Sequence, residues 1–291
     1  MQTALLYAVT VMIWGTSWFA IKYQLGPVDP LVSIAHRMAL AAAFCALLTM
    51  LTQGFVRLSL RNHLRIFLQS LCLFSCNYLF IYTATSDLSS GLIAVIFSTM
   101  VALNALGGAL FLNMPLRFPV VAGGLLGLIG MASLFYPELE TLSWSDPRLQ
   151  ALALCFCGTL CASAGNILAA GSLRQGLPVL TCNTWGMLYG GCTLYLAALF
   201  LDIPIRIDLQ PDYLISLAYL AFFATVLAFW AYISLIGRIG PDRAAYTTLL
   251  FPIVALMVSS VLESYTWTLW SATGLGLVLA GNWLAMRGVR S

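Results

Sequence analysis

Charge is what this chain has least of. Only 8% of its 291 residues are charged, where a soluble domain carries about a quarter. Histidine is scarcer still, with His36 and His63 alone. No carboxylate stands in the middle of an apolar run; Asp29, Asp87 and Glu263 all lie at run ends. Each shortage excludes something. A composition 61% hydrophobic, with mean hydropathy +0.95, excludes a water-soluble domain. Without a buried Asp, Glu or His chain, strong proton coupling is not expected. All eight cysteines lie in apolar runs, away from both histidines, so neither loop disulfides nor a metal site is expected. No His, Asp, Ser or Cys cluster marks a membrane face, so an embedded enzyme is disfavoured and no cofactor is expected. The net charge of +3 gives no reason to expect a nucleic-acid partner. The first apolar run is full length and lacks a basic leader region, so no cleavable signal is evident.

What is present is apolar length. Runs occur at 4–25, 30–52, 64–85, 88–112, 117–136, 149–171, 177–201, 212–236, 243–263 and 267–287. A spanning helix needs about 20 residues, so ten spans are expected in a lipid bilayer. With the N-terminus inside, Arg57, Arg61, Arg65, Arg117, Arg174, Arg238, Arg243, Arg287 and Arg290 all fall on the inner side. The basic residues set orientation, so both termini are expected in the cytoplasm. Asp29, Asp87, Glu138, Glu140, Asp146, Asp202, Asp208, Asp212 and Glu263 sort outward, and Asp242 alone sorts inward.

The chain also repeats itself. Gly15-Thr16 recurs as Gly158-Thr159, and Pro30 as Pro178. Met100-Val101-Ala102-Leu103 matches Ile253-Val254-Ala255-Leu256, and the Gly-rich fifth run matches the tenth. The copies are set at 1–145 and 146–291. Five spans per copy is odd, so the second must enter the membrane inverted, as in transporters with a site at the repeat interface. Gly123/Gly127 and Gly186/Gly190 are small-xxx-small pairs, read as packing within one chain, which is expected to be monomeric.

Several polar and aromatic residues are not asked for by hydrocarbon. Trp14, Trp18 and Lys22 form a stripe at i, i+4, i+8 of span 1. An interfacial aromatic belt with a snorkelling lysine is the bland explanation. Phe74, Tyr78 and Tyr82 repeat that spacing in span 3, with Asn77 beside them. Thr99 and Asn104 lie in span 4, and Thr159, Ser163 and Asn166 form a polar stripe in span 6. Span 8 offers Tyr219, Phe223 and Trp230 on roughly one side; span 9 offers Tyr246, Thr247, Phe251 and Pro252. Pro252 leaves the Thr248 carbonyl without its helical partner. Arg37 sits about 10 Å below the outer face by helix rise, deep for snorkelling, and needs carbonyls, Glu263 or a cavity.

Taken together the chain resembles the drug/metabolite transporter superfamily, specifically its ten-helix EamA-type exporters. The resemblance is carried by Trp14-Gly15-Thr16, Lys22, Pro30 followed by Arg37, Pro252, and Glu263 closing span 9. The aromatic-rich spans look most like the YddG-type aromatic amino-acid exporters. The chain departs from the family at Thr99, often Pro there, and at Asn113, often Glu. The resemblance implies an all-α integral membrane protein of the cell inner membrane. Its ten transmembrane helices would form two inverted five-helix repeats around a central cavity, with spans 1, 3, 4, 6, 8 and 9 lining it and spans 5 and 10 outside. Substrate contacts are expected from Trp14, Trp18, Asn77, Tyr78, Tyr82, Thr99, Ser163, Asn166, Trp230, Tyr246 and Phe251. Gating or electrostatic roles are expected of Lys22, Arg37 and Pro252. The expected activity is export of aromatic and other large neutral amino acids, or similar small metabolites, by alternating access without strong proton coupling. The alternatives are a multidrug or nucleoside-like metabolite exporter and a non-transporting scaffold or receptor.

Overall fold

The computed structural model describes residues 2–24, 26–84, 87–88, 93, 96–134, 136, 148–262 and 268–287. Among these, ten helices carry the chain. They are α1 (Gln2–Lys22), α2 (Pro30–Thr52), α3 (Leu60–Ala84), α4 (Met100–Leu112) and α5 (Phe118–Leu134), then α6 (Arg148–Arg174), α7 (Val179–Phe200), α8 (Pro211–Ile239), α9 (Thr247–Leu262) and α10 (Leu269–Arg287). A single helical turn, Pro241–Ala244, precedes α9. Four of them, α2, α3, α6 and α8, are long and apolar enough to cross a bilayer by length and composition. Bulky apolar side chains cover the outside: Phe118 is 82% exposed and Phe200 86%. In water such a surface would aggregate; against lipid it costs nothing.

The helix ends follow from local chemistry. Asp29 caps α2 by accepting the Leu31 N–H at 2.9 Å, and Pro30 opens the first turn. Ser59 caps α3 by accepting the Asn62 N–H. Asn113 ends α4 in the left-handed region at φ +50°, and Gly240 ends α8 at φ +88°. Two helices are locally wide: α3 over Leu71–Cys76 and α8 over Leu220–Leu227 run as π-helix. Such insertions often mark functional sites.

Helix contacts obey a simple exchange. α1 packs on α9 as α6 packs on α4; α3 packs on α6 as α8 packs on α1. α2 pairs with α7, and α5 with α10. Adding five to each helix number returns the same set of pairs, and the two π-helical turns exchange as well. Small residues permit the tightest of these contacts. A Cβ on Gly15 would lie 2.6 Å from Val254 Cγ1, so α1 can meet α9 here only through glycine. A Cβ on Gly130 of α5 would lie 2.8 Å from the Gly274 carbonyl of α10. The eight cysteines are free.

Polar groups tie the bundle at both ends, buried at one and exposed at the other. Gln24 Nε2 donates to the Tyr213 carbonyl at 3.0 Å and to Ser216 Oγ at 2.6 Å. Ser33 Oγ donates to Gln24 Oε1 at 2.8 Å, so α1, α2 and α8 are joined at one face. At the other face Arg238 Nη1 donates to Gln2 Oε1 at 3.1 Å. The connection at 137–147 and Glu263 lie outside the described residues.

Candidate functional site

A cavity of about 110 Å³ occupies the middle of the bundle. Its walls come from α1 (Trp14, Ser17, Ile21), α3 (Leu73, Asn77, Tyr78, Ile81, Tyr82), α6 (Ala162, Asn166), α8 (Phe229, Tyr232) and α9 (Thr248, Phe251). Phe97, just before α4, and Met100 at its start complete one side, and Arg37 reaches in from α2. Helices α5 and α10 contribute nothing to this lining among the described residues.

The aromatic wall is cross-braced. The Trp14 ring lies 5.2 Å from Phe229, 5.0 Å from Tyr232 and 6.4 Å from Phe251. Its Nε1 donates to the Ala224 carbonyl at 3.1 Å. Ala224 lies in the π-helical turn of α8, where widening frees backbone carbonyls from their α-helical partners. Edge-to-face pairs of this kind add about 0.5–1.5 kcal/mol each beyond burial. Trp14 is therefore locked in place as a wall.

Arg37 is the electrostatic centre. It is only 3% exposed. Its Nε donates to Thr225 Oγ1 at 2.8 Å and its Nη2 to the Tyr78 hydroxyl at 3.3 Å. The guanidinium carbon stands 5.0 Å from the Tyr78 ring centroid, within cation–π range. Both hydrogen-bonding partners are neutral, so the charge is solvated but not cancelled. Nη1 is buried and has no hydrogen-bond partner among the described residues. Two more polar atoms share that condition in the same cavity, Asn77 Oδ1 and Asn166 Oδ1. Leaving such a group without a partner costs about 1–3 kcal/mol. Asn166 is oriented by its other end: Nδ2 donates to the Tyr232 hydroxyl at 3.0 Å and to Met100 Sδ at 3.3 Å.

The cavity thus presents one cationic donor, two amide acceptors and a wall of rings. That set can hold a small molecule with an anionic end, a donor-rich end and an apolar body. Among the described residues it offers no nucleophile–base pair.

The other residues marked by sequence fall in different places. Thr99 Oγ1 donates to the Ile96 carbonyl at 2.6 Å and does not line the cavity. Ser163 is buried beside the lining residue Ala162. Trp230 is 37% exposed, on the outer side of α8. Tyr246 is fully buried, and its hydroxyl donates to the Val120 carbonyl, tying the start of α9 to α5. The side chains of Trp18, Lys22 and Pro252 lie outside the described residues. Phe74 packs on Phe229 at 4.9 Å and against Gly186 and Gly190, behind the wall.

Phe97, Met100, Phe229 and Tyr232 line the cavity without having been marked. In α8 the reason is geometric. Tyr219 and Phe223 stack at 5.5 Å, and Tyr219 bonds Thr16 Oγ1 at 2.8 Å in a shallow outer hollow. The π-helical turn, Leu220–Leu227, begins after Tyr219, contains Phe223 and ends before Phe229 and Tyr232. Each inserted residue rotates the downstream part of the helix by about 100° relative to an unbroken 3.6-residue period. Tyr219 and Trp230 both lie on the outer side of α8, while Phe229 and Tyr232 face the cavity.

With this geometry in place, comparison with known proteins decides the family. The profile of the EamA-like transporter family matches residues 1–136 and matches again over residues 149–287. The chain belongs to the EamA-like transporter family. Its members are transporters, not enzymes, and this chain is a multi-pass membrane protein that moves small molecules across a lipid bilayer. An uncharacterized transporter of Archaeoglobus fulgidus is 25% identical over 290 residues, covering 99% of each chain. A "Probable amino-acid metabolite efflux pump" of Salmonella typhimurium is 25% identical over 290 residues, covering 97% of this chain and 94% of the relative. A solved crystal structure superposes with TM-score 0.81 at 16% identity over 99% of both chains, which shows a shared fold. Within this EamA-like protein, the double match follows the exchange symmetry of the helix contacts. The central cavity lies where the two halves meet.

Proposed function

We propose that this EamA-like protein exports amino acids, aromatic and other large neutral ones, or closely similar metabolites from the cytoplasm. One observation carries the reading. Three buried polar atoms without a hydrogen-bond partner among the described residues, Arg37 Nη1, Asn77 Oδ1 and Asn166 Oδ1, belong to residues that line one aromatic cavity. A guanidinium N–H suits a carboxylate, and a charge-assisted bond there is roughly twice as strong as a neutral one. Amide oxygens suit an ammonium. Rings suit an aromatic or aliphatic side chain, and Tyr78 and Trp14 can also face a cation. The efflux-pump description of the Salmonella relative points the same way.

The transport mode is alternating access by a monomer in the inner membrane. Ten spans in two inverted five-helix repeats (1–145 and 146–291) rock about the cavity, with both termini in the cytoplasm. Arg117, Arg174 and Arg243 gather at one face from three separate connections, which supports that orientation through the inside bias of basic residues. No carboxylate lines the cavity among the described residues, which supports facilitated movement down a gradient.

Rings alone would also favour an apolar drug-like or nucleoside-like metabolite. The two readings separate in an efflux assay with phenylalanine, tryptophan and threonine against a cationic dye. Wild type should move the amino acids, and Tyr78→Ala and Asn166→Ala should slow that movement about tenfold, the worth of one lost hydrogen bond or ring contact. Movement of the dye alone, or amino-acid efflux unchanged in both variants, would exclude this substrate and site.

A further inference from the structure

A second hollow, of about 290 Å³, lies at the face that carries the start of α1 and the end of α8. The transport reading above draws only the membrane orientation from its arginines. It forms where the α4–α5 connection, the ends of α6 and α8, and the turn Pro241–Ala244 converge. Four charged side chains line it: Arg117, Arg174, Asp242 and Arg243. The turn that bears two of them is held firmly. Asn104 Nδ2 donates to the Pro241 carbonyl at 2.9 Å, and Gly240 takes φ +88° to let the chain reverse. Arg174 Nη1 donates to the Leu112 carbonyl at 2.6 Å, closing the last turn of α4. Arg117 and Arg174 are exposed, so the hollow opens to solvent.

Asp242 is the informative member. It is 8% exposed, and its Oδ1 has no hydrogen-bond partner among the described residues. Backbone N–H groups of the same turn bond the carboxyl, and this buried oxygen, in a hollow that arginines also line, keeps room for one more donor. The hollow therefore carries three cationic groups and one anionic acceptor, the complement of a zwitterion rather than of a simple anion.

A single layer separates it from the central cavity. Asn166 and Tyr232 line the cavity; Ala170 and Ile236, one helical turn further along α6 and α8, line the hollow. Asn166, Tyr232 and Met100 are bonded to one another, so the partition is one polar cluster across three helices.

We propose that this vestibule is a loading site for zwitterionic α-amino acids, with the carboxylate on the arginines and the ammonium on Asp242. It rests on the amino-acid reading of the central cavity and on placing this face in the cytoplasm. Substrate held here passes inward when the Met100–Asn166–Tyr232 layer parts. Arginine pairs carboxylates and phosphates by the same fork of N–H groups, so a lipid phosphate is the rival occupant.

The test is equilibrium binding of radiolabelled phenylalanine to the purified chain in phosphatidylcholine nanodiscs, beside efflux from cells. Arg117 is exposed, so Arg117→Gln and Arg117→Glu should fold. Wild type should bind a second phenylalanine per chain that both variants lose and that Arg117→Lys restores, while phenylalaninamide, lacking the carboxylate, should never fill that second site. Efflux should fall about tenfold in Arg117→Gln. A single phenylalanine per chain, unchanged by the variants while efflux proceeds normally, overturns the vestibule and leaves the central site standing. Phosphatidylglycerol bound by wild type and lost in Arg117→Glu, with no second phenylalanine, assigns the hollow to a lipid headgroup and overturns it equally. No bound phenylalanine and no efflux in any form sinks the substrate reading itself, and the vestibule with it.

Discussion

The two hollows of this EamA-like protein handle charge in opposite ways. In the central cavity one guanidinium, that of Arg37, is buried among rings and held by Thr225 and Tyr78. In the vestibule three arginines and an aspartate crowd together, two of the arginines exposed. The first arrangement is costly to build and selective, because a buried charge answers strongly to whatever satisfies it. The second is more permissive at its rim, because water screens the exposed Arg117 and Arg174, while Asp242 and Arg243 are buried at its floor. A carrier that must find a dilute substrate and then discriminate needs one of each, the permissive station outside and the strict one within.

The comparison breaks most readily at Arg37. Arg37→Gln should lower phenylalanine efflux about a hundredfold, the upper end for losing a hydrogen bond to a charged group. Arg37→Lys should fail to restore it, because a compact ammonium lacks the planar fork that reaches Thr225 and Tyr78 from separate nitrogens while presenting a third. An efflux rate within twofold of wild type in Arg37→Gln would show that the buried charge is structural. Ionic strength gives a smaller effect. Screening acts over about 10 Å at 0.1 M salt and weakens exposed charges far more than buried ones. Raising salt should therefore weaken the second phenylalanine site several-fold while leaving the first nearly unchanged; equal weakening of both would erase the distinction.

The smallest effect concerns Asp242. Burial pushes its carboxyl above the ordinary carboxylate range, against the opposing pull of Arg243 and Arg117. A carboxyl whose folded pKa exceeds its unfolded value favours the folded state when protonated. That contribution is present at low pH and is lost as pH rises through the folded value. The thermal stability of Asp242→Asn relative to wild type should therefore improve as pH is raised from acid to neutral. A stability of Asp242→Asn relative to wild type that stays flat or falls with rising pH would mean that the arginines, not burial, dominate Asp242.

Much of this molecule could be read from composition and order alone. Scarce charge and long apolar runs determine a multi-span membrane protein, because unsolvated backbone and charge are too costly in hydrocarbon for any other reading. Gly15-Thr16 against Gly158-Thr159 already marks the two halves, and both glycines sit at close helix contacts, Gly15 on Val254 of α9 and Gly158 on Ile81 of α3. Trp14, Asn77, Tyr78, Tyr82, Asn166 and Phe251 stand out as polar or aromatic groups in apolar runs, and they line the cavity. Tertiary structure decided the rest. Tyr232 and Phe229 face inward because the packed bundle turns the Tyr219 and Trp230 side of α8 outward. Arg37 finds Thr225 rather than a carboxylate because the π-helical turn of α8 brings Thr225 to it across 188 residues of chain. The vestibule is assembled from Arg117, Arg174 and the Pro241–Ala244 turn, lone charges in separate connections until the helices bring them together. Local sequence sets which faces are apolar; which polar atoms meet, and which are left without a partner, is a property of the packed bundle.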